Sequence, residues 1–517
     1  MKTIAALLAL LAAAPSAFAD VKVPTIIGDR MVLQRDKQVP VWGWADAGEA
    51  VVVEFAGQKK TATAGADGAW KVMLDPLAVS AEGRSLTITG KNTIVLKDIL
   101  VGEVWLCSGQ SNMQWDLKQC TEDDLEVLTA KYPHLRLISV PQVASQKPLT
   151  TFKGQWDACT PETAATFSGV GFFFGRQLHL TLGVPVGLID NSWGGSAAEA
   201  WVRRDVLEQN ERYLPLIKSW DERVATFDAE KAKADYQKTL EGWEKSVAKA
   251  KAEGQEPPRR PNPPAAPEGS NHRPANLYNG VLNPVVGYGL RGTVWYQGES
   301  NAGRAYQYRH LFPLMIKNWR DVWGQGDFSF YWVQLADFMA ETPEPVESAW
   351  AELREAQTLT MSALPNTGEA VIIDIGEGRD IHPRNKLTVG MRLARWALAK
   401  DYGIAVAHRS PTYKSMEKKD GKIVVTFDFV GAGLYAFDVQ EVRGCFIAGE
   451  DKKWRIAKAR ILGKDKLEVW HDEVKDPVAV RYGWANNPVI NLYSKEGLPA
   501  TPFRTDDWPG TTAGKEQ

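Results

Sequence analysis

Ser111 lies in LCSGQSNMQW, where an apolar run stops abruptly at glycine, two carboxamides and a central serine. A serine hydroxyl attacks a carbonyl only when a neighbouring base takes its proton. Histidine suits that task, because it titrates near neutrality and can be oriented by a third group. Of the 7 histidines, only His382, in IGEGRDIHPRNK, combines a strand-end loop, a nearby carboxylate and a following helix. His134, His179, His310, His408 and His471 fall in ordinary helix or strand text, and His272 follows a linker. Asp380 is the natural orienter of the ring, although a carboxylate two residues away needs a turn to reach it. Asp374 and Glu377 are the alternative acids. Acyl chemistry also requires donors aimed at the developing oxyanion. The Ser111 N–H is one candidate. Gly194 or Gly195, in NSWGGSAAEAW, is a second, because a residue without Cβ allows close approach of the backbone. The third is the carboxamide of Gln297 or Asn301 in YQGESNAG. Glu299 would oppose an oxyanion and better suits orienting its neighbours or binding a basic loop. Ser108 reads as structural.

Other chemistries fit the text less well. GQSNM is not the G-x-S-x-G elbow, since Met113 replaces the second glycine. No GxxxxGK[ST], HExxH or spaced G-x-G-x-x-G motif supports a nucleotide or zinc enzyme. A two-carboxylate glycosidase would leave SGQSN and DIHP without a purpose. A non-catalytic sugar-binding protein would leave the serine, histidine and glycine set unused.

The elements that must carry these residues are legible from periodicity. From Val21 to about Lys97 short alternating runs are separated by Gly, Asp and Asn, which indicates a small antiparallel β domain over 20–98. From 99 to 403 apolar strands (ILVGEVWL, LRLISV, VPVGLID, RGTVWYQ, FSFYWVQL, AVIIDIG) alternate with amphipathic helices at 170–182, 306–323, 349–364 and 386–400. Such alternation implies a parallel sheet with helices on both faces. In a sheet of that kind the loops at the strands' carboxyl ends meet at one crevice, so four separate segments converge on one site. An excursion at 206–275 interrupts this domain with a charged helical stretch and the proline-rich EPPRRPNPPAAPEG. Residues 404–517 return to β text, as a separate domain or as strands packing on the first one.

The chain has 517 residues, enough for two or three domains, with 44% hydrophobic and 24% charged residues and a formal net charge of −2. That balance gives no general attraction for nucleic acid or acidic membranes. Twenty tryptophans exceed the usual number and offer flat faces for sugar rings. Residues 1–19, with Lys2, an apolar run and Ala-Phe-Ala, read as a secretory signal. No later segment approaches the roughly 18 apolar residues of a membrane span. The expectation is therefore an exported, soluble protein, periplasmic or extracellular, without membrane insertion. Cys107, Cys120, Cys159 and Cys445 are too few for a disulfide scaffold and lack zinc spacing, although one bridge is permitted.

GQSNM, GVPVGLIDNSWGGSAAEAW, WYQGESNA and DIHPRNK, in this order, resemble the blocks of the sialate O-acetylesterase family of SGNH hydrolases, as does the ending PVAVRYGWANNPVINLYSKEGLPATPFRTD. The likeness spans about Thr25 to Asp507. It implies a flavodoxin-like three-layer α/β/α core with flanking antiparallel β domains, and hydrolysis of acetyl esters on carbohydrate without metal or cofactor. By position it makes Ser111 the nucleophile, His382 the base, Asp380 the third member and Gly195 (or Gly194) the oxyanion glycine. The final block departs from the superfamily, reading D-x-H rather than D-x-x-H, with Arg379 at the third position back. Gln110, Asn112, Trp115, Trp193, Tyr296, Glu299 and Arg304 are candidate substrate contacts or supports beside the nucleophile. A sialic acid substrate would need a basic site, from Arg304, Arg379 or Arg384. Acetylated xylan or xyloglucan would need mainly aromatic platforms.

Overall fold

The computed structural model describes residues 20–342 and 344–515; the expected export signal at 1–19 lies outside them. The spine of the molecule is β1 (Thr93–Gly109), a strand of 17 residues whose burial changes character along its length. Its first part alternates between exposed and buried, and pairs antiparallel with the strand Ser80–Thr89. From Ile99 every residue is buried, as a parallel strand covered on both faces must be. Residue 98, the expected junction of the first two domains, therefore lies inside a continuous strand.

Five further strands follow: β2 (Tyr132–Ser139), β3 (Val186–Asp190), β4 (Gly292–Tyr296), β5 (Ser329–Val333) and β6 (Thr367–Ala370). They form a parallel sheet in the order β6-β5-β4-β1-β3-β2. The expected strand AVIIDIG is cut short. Pairing with β5 ends at Ala370, and the buried Val371, Ile372 and Ile373 continue as irregular chain.

The helices are α1 (Ser111–Gln114), α2 (Gly169–Leu182), α3 (Leu214–Ala225), α4 (Ala229–Ala252), α5 (Ala305–Trp323), α6 (Ala349–Ala363) and α7 (Lys386–Lys400). α2 and α7 pack together on one face of the sheet. At Gly390 a Cβ would lie 2.6 Å from the Phe173 Cβ, so glycine sets their approach. α5 and α6 cover the other face, their Tyr308, Phe312, Trp319 and Leu353 sharing a core with Trp295 and Trp332. The result is the three-layer α/β/α core with flanking antiparallel sheets that the sequence implied. Among the described residues no helix is long and apolar enough to cross a membrane.

The excursion is α3, α4 and an irregular proline-rich strap. The strap folds back on α4, where Trp243 Nε1 donates to the Pro258 carbonyl at 2.8 Å. Only Ala250 of α4 is buried, so its charges face solvent. The C-terminal strands enclose their own core around Ile423, Leu467, Val469 and Tyr482. They dock on α6, whose buried Arg354 donates to the carbonyls of Ala485 (2.7 Å) and Asn486 (2.9 Å). All four cysteines are free and buried, so the permitted bridge is not formed.

Candidate active site

β1 and β4 end side by side, and the turn out of β1 depends on Gly109. Its φ is +136°, and a Cβ there would lie 2.2 Å from the Tyr296 carbonyl oxygen. The chain turns immediately into α1, so Ser111 is the first helical residue and its N–H has no partner within the helix. The loop beyond β6 brings His382 across the same sheet end. His382 Nε2 lies 2.8 Å from Ser111 Oγ. On the other side of the ring, Nδ1 is 3.3 Å from Asp380 Oδ1, which also accepts the His382 backbone N–H at 2.9 Å. That backbone bond supplies the turn that the D-x-H spacing demanded. The alternative acids are engaged elsewhere: Asp374 forms a bidentate pair with Arg392 at 2.6 and 2.8 Å, and Glu377 accepts the Arg384 N–H at 2.8 Å.

Trp115 stacks on His382 with ring centroids 4.7 Å apart and planes at 14°. The indole is itself anchored through its N–H to the Gln119 carbonyl. Burial lowers the His382 pKa below the ordinary histidine value; Asp380 opposes this and the Lys386 ammonium adds to it. The neutral, proton-accepting imidazole is thus favoured near neutral pH.

The oxyanion candidates separate clearly. The Gly194 N–H donates to Gln114 Oε1 at 2.7 Å, which removes Gly194 from the set. That contact holds the glycine loop against the nucleophile turn, and a Cβ on Gly194 would come 3.3 Å from Ser111 Cβ. Gly195 follows in a left-handed conformation (φ +70°), exposed beside it. Neither expected carboxamide is available. Gln297 is fully buried, its Nε2 donating to the Ser196 carbonyl and Asn301 Oδ1, its Oε1 accepting from Tyr308. Asn301 Nδ2 donates to Glu199 Oε2, while its Oδ1 also accepts the Ala198 N–H. These amides brace the glycine loop from behind. Gln110 accepts the Gly298 N–H at 3.2 Å and so ties the nucleophile turn to the β4 loop.

Several expected substrate contacts are also structural. Arg304 is drawn into a 2.7 Å ion pair with the buried Glu199. Tyr296 is wholly buried. Asn112, 1% exposed, donates to Glu299 Oε1 (2.6 Å) and the Ile381 carbonyl (3.0 Å), and accepts from Lys386 Nζ (2.6 Å). This chain of contacts joins the nucleophile turn, the β4 loop, the histidine loop and the start of α7 beneath the site. Burial pulls the Lys386 pKa down to about 7 and pushes that of Glu299 up. Lys386 and Gln114 were missed from sequence; their only signal was a place within the polar blocks. Trp115 and Trp193 remain half-buried at the site. Among the described residues, no group of three or more His, Cys, Asp or Glu is arranged to hold a metal ion.

A serine hydroxyl within hydrogen-bond reach of an imidazole, beside N–H groups at a helix start and a glycine loop, can perform acyl transfer. Comparison with known proteins agrees with that chemistry. No family model matches the chain. The sialate O-acetylesterase of Rattus norvegicus is 30% identical over 529 residues, covering 92% of this chain and 93% of the relative. That of Homo sapiens is 28% identical over 535 residues, covering 94% and 93%. The crystal structure of a carbohydrate acetylesterase from Xanthomonas citri is 37% identical with a TM-score of 0.79, over 95% of this chain and 100% of that one. On likeness that extends over nearly its whole length, this chain belongs to the sialate O-acetylesterase family.

Proposed function

We propose that the protein is a carbohydrate O-acetylesterase in which Ser111 is the nucleophile, His382 the general base and acid, and Asp380 the group that orients the imidazole. The 2.8 Å contact between Ser111 Oγ and His382 Nε2 carries the reading. His382 takes the hydroxyl proton as Oγ attacks the acetyl carbonyl carbon. The resulting oxyanion is held by the N–H groups of Ser111 and Gly195. As the tetrahedral adduct collapses, the C–O bond to the sugar breaks and His382 returns the proton to the departing alcohol. Water, deprotonated by the same ring, then cleaves the acetyl-serine and releases acetate.

The sugar is more consistent with a neutral polysaccharide than with sialic acid. Of the three arginines that could hold a sialic acid carboxylate, Arg304 is committed to Glu199 and Arg384 Nε faces Glu377, so among the described residues Arg379 alone stays without a partner for that role. Trp193, half-buried in the glycine loop, supplies an aromatic face for a neutral sugar, whereas the Trp115 ring is stacked on His382. The leader-like residues 1–19 support export to the periplasm or beyond, where such polymers are met; a mature N-terminus found at Met1 in exported fractions would sink that part.

Acetate release should be measured on p-nitrophenyl acetate, acetylated xylan, acetylated xyloglucan and 9-O-acetylated sialic acid. Ser111→Ala should reduce turnover on every responsive substrate by at least about 10³-fold. An alanine variant as active as the parent would overturn the nucleophile assignment, and exclusive activity on the sialic acid would overturn the preference for neutral polymer.

A further inference from the structure

Most tryptophans are core, but eight are only half-buried, and five of these have a ring or a cation against them. Trp115 stacks on His382, Trp454 packs against Trp508, Trp470 lies between Lys422 and Arg460, and Trp243 lies under Arg260. Trp193 belongs to the active site. Trp42 and Trp44 differ: among the described residues neither ring is paired with another ring or a cation, and neither indole N–H has a protein acceptor.

Both sit on the strand Val39–Trp44, which pairs antiparallel with Ala69–Leu74. Residues two apart in a strand share a face, with Cα atoms about 6.6 Å from each other. The two rings line a cavity of about 480 Å³ whose lining also includes the buried Trp70 and Trp323, with Thr150, Asn283 and Lys71 contributing polar groups. That volume falls within the range of small-ligand sites. Asn283 Nδ2 donates to the Leu149 carbonyl at 2.8 Å, and its Oδ1 receives no hydrogen bond among the described residues. Lys71 is the single ionisable side chain of the lining, too little to clamp a carboxylate.

The cavity is remote from Ser111. Its residues at 283–287 precede β4, and Val322 and Trp323 end α5 ahead of β5. It therefore opens at the amino ends of these strands, whereas the active site lies at their carboxyl ends, roughly 16 Å away along a strand of five residues. A ligand there leaves the catalytic crevice free.

We propose that this cavity is a second carbohydrate-binding site, taking neutral pyranose units of a polysaccharide that stack on Trp42 and Trp44 and accept hydrogen bonds from their indole N–H groups. The ligand class rests on the esterase reading above. Tethering a polymer at this site raises its effective concentration at the catalytic crevice without touching the chemistry.

The test uses the full-length Ser111→Ala protein, which cannot deacetylate, in native gels containing deacetylated xyloglucan or xylan. Migration should be retarded in at least one polymer, and Trp42→Ala/Trp44→Ala should abolish the retardation. Trp44→Ala alone, which spares the more deeply packed Trp42, should weaken it. In the parent background the same changes should leave kcat/KM on p-nitrophenyl acetate within about twofold while lowering the rate on acetylated polymer about tenfold. Absence of retardation in both polymers, or variants retarded like the parent, would overturn the site. So would a collapse of p-nitrophenyl acetate turnover in the tryptophan variants, which would make the pair structural. Retardation by a protein that releases no acetate from any ester would instead overturn the esterase reading and leave the site standing.

Discussion

Asp380 orients His382 from an exposed position, and its carboxylate oxygen is shared between the ring and the His382 backbone N–H. Water screens such a charge, so Asp380→Asn, which keeps an acceptor and removes the charge, should lower kcat by about 10- to 100-fold, less than a buried triad acid would. A near-normal rate would show that the turn alone orients the ring. Lys386 offers a separate handle. Activity needs neutral His382, so it should be lost as pH falls through that residue's pKa, which lies below the ordinary 6.5. Lys386 is still charged over that acid limb, its own pKa being about 7. Of the groups that shift the ring, Asp380 raises the pKa and burial and Lys386 lower it. Lys386→Met should therefore move the acid limb of kcat/KM upward, by up to about one pH unit. An unmoved limb would confine Lys386 to holding Asn112. At this scale the sequence disclosed Ser111, His382 and Asp380, because their polar blocks interrupt apolar text. It could not disclose Gln114 or Lys386, whose roles exist only through partners 80 and 274 residues away. Gln297 and Asn301 misled for the same reason: what uses their amides is Tyr308, Glu199 and the backbone at 196–198, all tertiary contacts.

The strands and helices that hold the site were largely visible, since their apolar residues recur at the right period. The exception, AVIIDIG, is apolar enough for a strand but has to leave the sheet so that the chain can cross its end towards His382. Gly376 permits the crossing: a Cβ there would lie 2.0 Å from the Asp337 carbonyl oxygen. The end of β3 holds a further constraint. Asp190 is buried and accepts the Ser192 N–H and hydroxyl, and burial raises its pKa to about 7 from 3.8. The unfolded chain ionises near 3.8 and the folded one near 7, so folding retains the proton between them and stability falls as pH rises through this window. Asp190→Asn should remove that slope. Its melting temperature should exceed the parent's by a few degrees at pH 8 and match it near pH 4, as read by calorimetry. A parent whose stability does not fall between pH 4 and 7 would contradict the assignment.

The assembly of the whole molecule was the least legible level. Composition and turn spacing announced β text at both ends, but not where it would dock. The C-terminal segment closes over α6: Glu352, wholly buried, accepts from the backbone and hydroxyls of Thr511 and Thr512, and Arg504 pairs with Glu355 at 2.8 Å. Glu352→Ala should cost about 2–4 kcal/mol in denaturant unfolding while leaving kcat on p-nitrophenyl acetate little changed. A loss below about 0.5 kcal/mol would mean that the segment is held by its other contacts. At the opposite end, β1 serves the antiparallel N-terminal strands with its first part and the parallel sheet with its second. A protease that trims modular enzymes at their hinges has no hinge to find there. The N-terminal strands and the catalytic layers should melt in a single calorimetric transition, and no cut near residue 98 should liberate a working fragment. In evolutionary terms, this β region is not a cassette that could be gained or shed without rebuilding the strand that carries the nucleophile.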